Sequence, residues 1–347
     1  MSRRTVKGYD ISAVEQWIHR HVAGLTPPFE WTQLQGGHSN LTCLITDQKG
    51  TRAVIRRPPE GQLLRGAHDM GREWALISAL ESTAVPVPTP IGFCDDEAVT
   101  GAKFYLMDEV QGRPLYSASD TLDWVPQHKR EILAYSFIDA LADLHSLNPE
   151  EIGLDGLGRA DGYLARQLKT WYGSWTSSVS ASKLDDPKAH ILREFFLDNI
   201  PEQTSSRVVH GDYGLHNCLI GEDSKIAAVL DWEISTLGDP LADLAYALNP
   251  WTEPGEPLLV AEDHANNVPG MPSRTVLAQR YASRTGQNLD DLNYYRAFSL
   301  WKSAAIMQGV YARYMAGQKG AEGVDLGSWH SRITGCLKEA EAIVATH

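Results

Sequence analysis

The sequence predicts an α+β chain in two parts: a small antiparallel sheet at the N-terminus and a larger, mostly helical remainder. Three observations carry this. Short apolar runs of strand length, punctuated by glycine and proline, fill the first part. From about residue 131 the apolar spacing lengthens to the helical period. Two short apolar strands around a loop, near 207–230, then interrupt the helices.

Phe29–Leu34 reads as a first strand running into Gly36-Gly37, and Leu41–Thr46 as a second, closed by the turn Asp47–Gly50. Ala53–Ile55 is a third strand, stopped by Pro58-Pro59. Met70–Ser82 has helical spacing through Trp74, Ile77 and Leu80, Val85–Pro90 reads as a proline-broken loop, and Phe104–Met107 is a further strand. Gln111–Pro114 reads as a connector, so the division expected is 1–110 and 111–347. Beyond it, Glu131–Leu147 places Leu133, Phe137, Leu141 and Leu144 on one face, and Tyr163–Trp175 and Ala189–Asp198 read as helices. Arg207–Val209 and Ala227–Leu230 are short strands. Asp239-Pro240 opens a helix to Leu248, since Asp caps free N–H groups and Pro suits the first turn. Asn293–Met315 is a long helix near the end.

Composition narrows the function. Against 31 Lys and Arg stand 44 Asp and Glu, a net charge of −13, which disfavours a phosphate-backbone reader or a polybasic membrane anchor. The four cysteines, at 43, 94, 218 and 336, form no C-x-x-C and read as reduced, structural residues of a cytoplasmic protein. Met1–Asp10 has no apolar core of a signal peptide, and no uninterrupted apolar run is long enough to cross a bilayer. Neither a nucleic-acid partner nor a membrane is therefore expected.

The segment Val208–Tyr246 carries the chemistry. A strand leads into His210-Gly211-Asp212, Asn217 follows five residues after the aspartate, and a second strand delivers Asp231-Trp232-Glu233. Phosphoryl transfer needs one carboxylate to orient the acceptor hydroxyl and oxygen ligands to hold Mg²⁺. Asp212 suits the first task, and Asn217 and Asp231 the second. A P-loop is excluded, because no G-x-x-x-x-G-K-[ST] occurs.

H-G-D-x-x-x-x-N followed by a strand and D-W-E resembles the aminoglycoside phosphotransferase and choline kinase superfamily, relatives of the protein kinases. Gly211 stands where protein kinases have Arg, and Trp232-Glu233 where they have Phe-Gly. The resemblance implies a protein-kinase-like two-lobe fold with ATP (or GTP) between the lobes and Mg²⁺ on its phosphates. It implies that Gly36–Asn40, including Gly37 and Ser39, covers the phosphates, that Arg56 replaces the usual nucleotide-binding Lys, and that Glu73 is its partner. It also implies that the Asp108 carbonyl and the Val110 N–H meet the adenine. Arg56-Arg57-Pro58-Pro59, the Gly162-Tyr163 helix with Arg166, Gln167 and Trp171, and Gln308–Tyr311 resemble more closely the kinase-like domain attached to some acyl-CoA dehydrogenases. That branch implies a hydroxylated acyl-CoA acceptor, where the wider family implies aminoglycosides.

Arg56 is favoured over Arg57 because it follows the apolar run directly. His210 reads as support for its loop, and His216 faces either metal or solvent. Asp239 reads as a helix cap and Asp243 as a brace of the loop. Trp171, Trp175, Trp251 and Trp301 read as core, with an acceptor-pocket role open for one or two. The expected activity is ATP- and Mg²⁺-dependent phosphorylation of a small-molecule alcohol. Two alternatives remain: a nucleotide-binding protein without catalysis, which the Arg-for-Lys exchange favours, and a metallohydrolase built on His210, Asp212 and His216.

Overall fold

The computed structural model describes residues 6–34, 40–60, 69–256, 263–318 and 324–346. In chain order the elements begin α1 (Ile11–His21), β1 (Glu30–Gln33), β2 (Leu41–Thr46), β3 (Arg52–Arg57), α2 (Met70–Leu80), β4 (Pro90–Cys94) and β5 (Phe104–Asp108). Then come α3 (Ala118–Trp124), α4 (Arg130–Ser146), α5 (Tyr163–Ser182), α6 (Pro187–Asp198), β6 (Arg207–Val209), β7 (Cys218–Ile220), β8 (Ile226–Val229) and β9 (Thr236–Gly238). Four helices complete the described residues: α7 (Pro240–Leu248), α8 (Arg274–Thr285), α9 (Leu292–Met315) and α10 (Leu326–Val344). The chain divides into two compact units. One comprises Met1–Pro114, Glu150–Leu154 and Asn217–Ser235; the other comprises Leu115–Pro149, Asp155–His216 and Thr236–His347.

The first unit is organised by an antiparallel sheet in the order β1-β2-β3-β5-β4. Side chains alternate across a strand, and β3 uses both faces. Ala53 and Ile55 join Cys43, Ile45, Phe104 and Leu106 in a core closed by Val14 and Ile18 of α1. Arg57 has the same parity as Ala53 and Ile55. It is buried there, donating to the carbonyls of Gly8, of Thr100 (2.7 Å) and of Pro58 (3.1 Å), with its guanidinium over the Tyr9 ring. Val54 and Arg56 take the opposite parity. Asp69 caps α2 by accepting from the Gly71 and Arg72 N–H groups.

The β7–β8 hairpin belongs to the same unit. The Val229 N–H donates to Pro86 O at 2.8 Å, and Arg113 bridges to Ile220. Gly112 allows that bridge: its φ is 152°, and a Cβ there would stand 2.9 Å from Ile220 O.

The second unit is helical. α4 buries Leu133, Phe137, Leu141 and Leu144, as its spacing predicts. α9 packs on α5, α7 and α10. Phe196 of α6 meets the rings of Tyr294, Phe298 and Trp301 at centroid distances of 5.3, 5.9 and 5.9 Å. Asp239 caps α7 through the Leu241 N–H and also accepts from Tyr295 Oη at 2.6 Å. All four cysteines are free and buried. No helix among the described residues is long and apolar enough to cross a membrane.

Several elements differ from the sequence reading. Pro90, read as loop, is the first residue of β4, which lies at the end of the strand order. A missing N–H is tolerated at such a position. α1, α3, α8 and α10 were not expected; in α1 only Val14 and Ile18 are buried, too sparse a stripe to register as periodic. α5 runs on from Trp175 to Ser182, and α6 starts at Pro187, capped by Asp186.

Arg57 is therefore a structural cation. Arg57→Ala is expected to strip charged donors from the Pro58 carbonyl and the half-buried Gly8 and Thr100 carbonyls, and lower unfolding free energy by about 1.5–3 kcal/mol. Urea denaturation followed by tryptophan fluorescence reads this. A midpoint equal to that of the parent would refute it.

Candidate active site

The alternation that buries Arg57 turns Arg56 to the other face of the sheet. There the register sets Arg56 opposite Tyr105, and Glu73, in the first turn of α2, reaches both. Tyr105 Oη donates to Glu73 Oε2 at 2.9 Å, and Asn40 Nδ2 to Glu73 Oε1 at 3.3 Å. Arg56 Nε stands 2.9 Å from Glu73 Oε2, an ion pair whose N–H does not align as a hydrogen bond. Its NH2 donates to Asp231 Oδ1 at 2.5 Å. Burial pulls the Arg56 pKa down, but Glu73, Tyr105 and Asp231 more than compensate and hold it above its usual value. Burial pushes the Glu73 carboxyl up, and Arg56 and Tyr105 restrain the rise.

Asn217 and Asp231 are brought together by the hairpin. Cys218 pairs with Val229 at its open end, and the Leu230 N–H donates to Asn217 O at 2.8 Å. Asn217 therefore precedes β7 where Asp231 leaves β8. Asp231 has φ 65° and ψ 57°, a left-handed conformation that is sparsely populated outside glycine and concentrated at functional sites. Its side chain is 29% exposed. Carboxylate oxygens of Glu73, Asp231 and Glu233 all lie within 4.8 Å of one another. Such a set of hard oxygens suits Mg²⁺, and Asn40 Nδ2 approaches Glu233 Oε2 at 3.5 Å.

In the second unit Asp243 organises the Asp212 loop. Its carboxylate accepts from the His210 N–H at 2.6 Å and the Gly211 N–H at 2.9 Å, while His145 Nε2 stands 3.3 Å from it. His145 is in turn 2.7 Å from Tyr281 Oη through Nδ1. Gly211 has φ 87°, open to glycine at no steric cost. His210 is fully buried, and its Nδ1 accepts from the Asp212 N–H at 3.3 Å, which matches its expected role as loop support.

Asp212 receives a hydrogen bond from Tyr246 Oη on Oδ1, and His216 Nε2 lies 3.5 Å from its Oδ2. His216 thus faces the aspartate, where the sequence left metal and solvent open. Burial pushes the Asp212 carboxyl up. His216, then Tyr246 and His210, outweigh burial and bring it down to about 2. With 37% of the side chain exposed, Asp212 is a solvent-reachable carboxylate at neutral pH. It is therefore better suited to orienting a hydroxyl than to holding its proton early.

Gly37 and Ser39 lie outside the described residues. Asp108 ends β5, paired with Ala53 and donating its N–H to Thr89 O at 2.9 Å, and Val110 follows in the connector beside Glu109, which pairs with Arg52 at 2.7 Å. The sequence reading gave no site role to Tyr105, Glu233 or Tyr246, and it placed Asn40 in the phosphate-covering turn without its contact to Glu73. Tyr246 could have been found, since it lies one helical turn from Asp243 on α7. Tyr105 could not, because its contact depends on the pairing of β3 with β5. Trp175, Trp251 and Trp301 are core, and Trp171 is half-buried on α5.

Comparison with known proteins places this geometry. Residues 30–277 match the phosphotransferase enzyme family. The chain is 34% identical over 323 residues to acyl-CoA dehydrogenase family member 11 of Homo sapiens, covering 90% of this chain and 40% of that protein. It is 36% identical over 326 residues to the same-named protein of Gallus gallus, covering 90% and 41%. The chain thus spans about two fifths of the length of these relatives. A Ralstonia eutropha structure, provisionally assigned as an aminoglycoside phosphotransferase, superposes with a TM-score of 0.79 at 29% identity, covering 96% of this chain and 99% of that one. Choline kinase from Cryptosporidium parvum, at 14% identity, shares the fold with a TM-score of 0.62 over 97% of each chain. The fold is the kinase-like α+β fold of these neighbours, and the chain belongs to the phosphotransferase enzyme family of the aminoglycoside phosphotransferases.

Proposed function

We propose that this protein is an ATP- and Mg²⁺-dependent phosphotransferase that phosphorylates a hydroxyl of a small molecule. The observation that carries the reading is Asp231: a non-glycine residue in left-handed backbone, gripped by Arg56 and clustered with two further carboxylates. A purely structural ion pair needs no such conformation. Asn217 and Asp231 would hold the metal, with Glu233 within reach of the same point. Bound there, Mg²⁺ supplies neutralisation of charge on the transferred phosphoryl group.

The chain's own groups do the rest. Arg56 binds phosphate oxygens, and Glu73, Tyr105 and Asp231 keep its fork charged and aimed. Gly37 and Ser39 cover the phosphates, and the Asp108 carbonyl and Val110 N–H receive the adenine. Asp212, held by Tyr246 and ionised, orients the acceptor hydroxyl and takes its proton as the bond to phosphorus forms. Catalysis then rests on positioning and charge stabilisation. The acceptor is a neutral or anionic alcohol, with hydroxyacyl-CoA ahead of aminoglycosides. The match to the acyl-CoA dehydrogenase family proteins supports this order. The net charge of −13 opposes it weakly, because it averages over the surface and is screened beyond about 8–10 Å. The founding experiment is ADP release against a panel of alcohols, with product mass checked for an added phosphoryl group.

Asp231→Asn and Asp231→Ala should abolish transfer while thermal unfolding shows a folded protein. Turnover near the parent's at saturating Mg²⁺ would remove Asp231 from its role.

Arg56→Ala should weaken nucleotide affinity by roughly tenfold or more, the loss of charged hydrogen bonds. Arg56→Lys should also be impaired, because a point charge does not replace a planar fork. Arg57→Ala should leave nucleotide affinity intact despite its lower stability. Calorimetric titration with ATP decides; equal affinity in all three variants would place the phosphates elsewhere.

The acceptor ranking is read from kcat/KM for a hydroxyacyl-CoA against a kanamycin-type substrate. An aminoglycoside preferred a hundredfold, about 2.7 kcal/mol of transition-state binding, would reverse it.

A further inference from the structure

Beside the Asp212 loop, the second unit holds a small cavity lined by Tyr163, Gly211, Asp243, Tyr246, Ser299 and Lys302, with Ala242 and Phe298 completing its wall. Two of these side chains are polar and buried and make no hydrogen bond among the described residues. Ser299 is 3% exposed, and its hydroxyl has no hydrogen-bond partner. Lys302 is 9% exposed and makes no hydrogen bond or ion pair among the described residues; its Nζ lies 5.8 Å from the centroid of the Trp171 ring. A buried hydroxyl and a buried ammonium each lose their hydration, so both are costly to leave without an acceptor.

Ser299 and Lys302 are three residues apart on α9 and so share a face. The wall they form is continuous with the catalytic loop. Gly211 is the residue before Asp212, and Tyr246 donates to the Asp212 carboxylate. The cavity volume is about 10 Å³, room for a single oxygen atom rather than a whole substrate. Charge selects the kind of oxygen. Lys302 already lies in the attractive fields of Asp243 and Asp212. A second anion would be repelled by those carboxylates, whereas a neutral carbonyl oxygen accepts hydrogen bonds without adding charge.

We propose that Lys302 and Ser299 form an acceptor subsite that receives a carbonyl oxygen of the substrate, close to the hydroxyl that Asp212 orients. This inference rests on the phosphotransferase reading for the identity of the hydroxyl, and it adds the residues that recognise the rest of the acceptor. Lys302 is then a specificity-determining residue: it selects alcohols that carry an ester, thioester or amide carbonyl near the reacting oxygen.

The test separates this subsite from the activity itself. A hydroxyacyl-CoA and its thioether analogue, in which a methylene replaces the thioester carbonyl, are titrated by calorimetry into the full-length protein. The parent should bind the thioester about tenfold to a hundredfold more tightly. Lys302→Met should bring the two compounds within about twofold, and Ser299→Ala, a minimal change that preserves packing, should reduce the preference severalfold. Thermal unfolding midpoints and far-ultraviolet circular dichroism should stay close to the parent's in both variants, which a general collapse of the unit would not allow. Binding is read without turnover, so failure of every alcohol to yield ADP would sink the phosphotransferase reading and leave this test standing. No preference in the parent, no binding of either compound, or an unchanged preference in both variants would each overturn the subsite.

Discussion

A guanidinium taken out of water must recover its lost hydration from carboxylates and carbonyls, because an unpaired buried charge costs several kcal/mol. Two adjacent arginines on β3 meet that demand on opposite faces of one strand. Arg57 is satisfied by backbone carbonyls on the α1 side of the sheet and Arg56 by carboxylates on the other. The pairing of Arg56 dictates much else in the first unit. It requires Glu73 on α2 and, through the β7–β8 hairpin, Asp231 at a position where the backbone is left-handed. Sheet, helix and hairpin are thus tied through one side chain.

The second unit solves a different electrostatic problem. Asp243 is fully buried, and its carboxylate is held by loop N–H groups and by His145. Burial pushes its pKa up, and His145, His210 and the N–H donors bring it below the usual carboxylate range. The carboxylate stays ionised and so keeps its grip on the loop. Asp212 rides on that loop, and its own charge is held by Tyr246 and His216. A rigid charge holds the backbone, and a more exposed charge sits on the loop it holds. Lys302, with its pKa lowered by burial and supported by the charges of Asp243 and Asp212, adds a cation to the same neighbourhood.

Legibility of the sequence followed the range of the contacts. Strands β2, β3 and β5 were readable from local apolar runs, and α7 from its Asp-Pro cap. α1, α8 and α10 were not, since their buried positions are few: Leu277, Ala278 and Tyr281 in α8, and Ile333, Cys336, Leu337 and Ala340 in α10. The stability of α8 and α10 comes from packing on α4 and α9, and that of α1 from packing on the sheet, rather than from a strong intrinsic pattern. In the candidate site, Asp212, Asn217 and Asp231 could be picked out because they share one short segment with fixed spacing. Arg56 was favoured from its place after the apolar run together with the family register, and Glu73 from the register alone.

The sequence by itself determined the order and chemistry of the groups. It set an aspartate, an asparagine five residues on, a second aspartate after a strand, and two arginines of which alternation allows only one on each face. Tertiary structure alone decided which arginine faces the carboxylates. It also decided that Tyr105 and Asn40 meet Glu73, that Tyr246 holds Asp212, and that Ser299 and Lys302 line a cavity beside it. The reason is physical: spacing along a chain fixes what one strand, turn or helix face presents, but contacts between elements depend on strand pairing and helix packing. Those are set by the burial of the whole apolar set, which no local window contains.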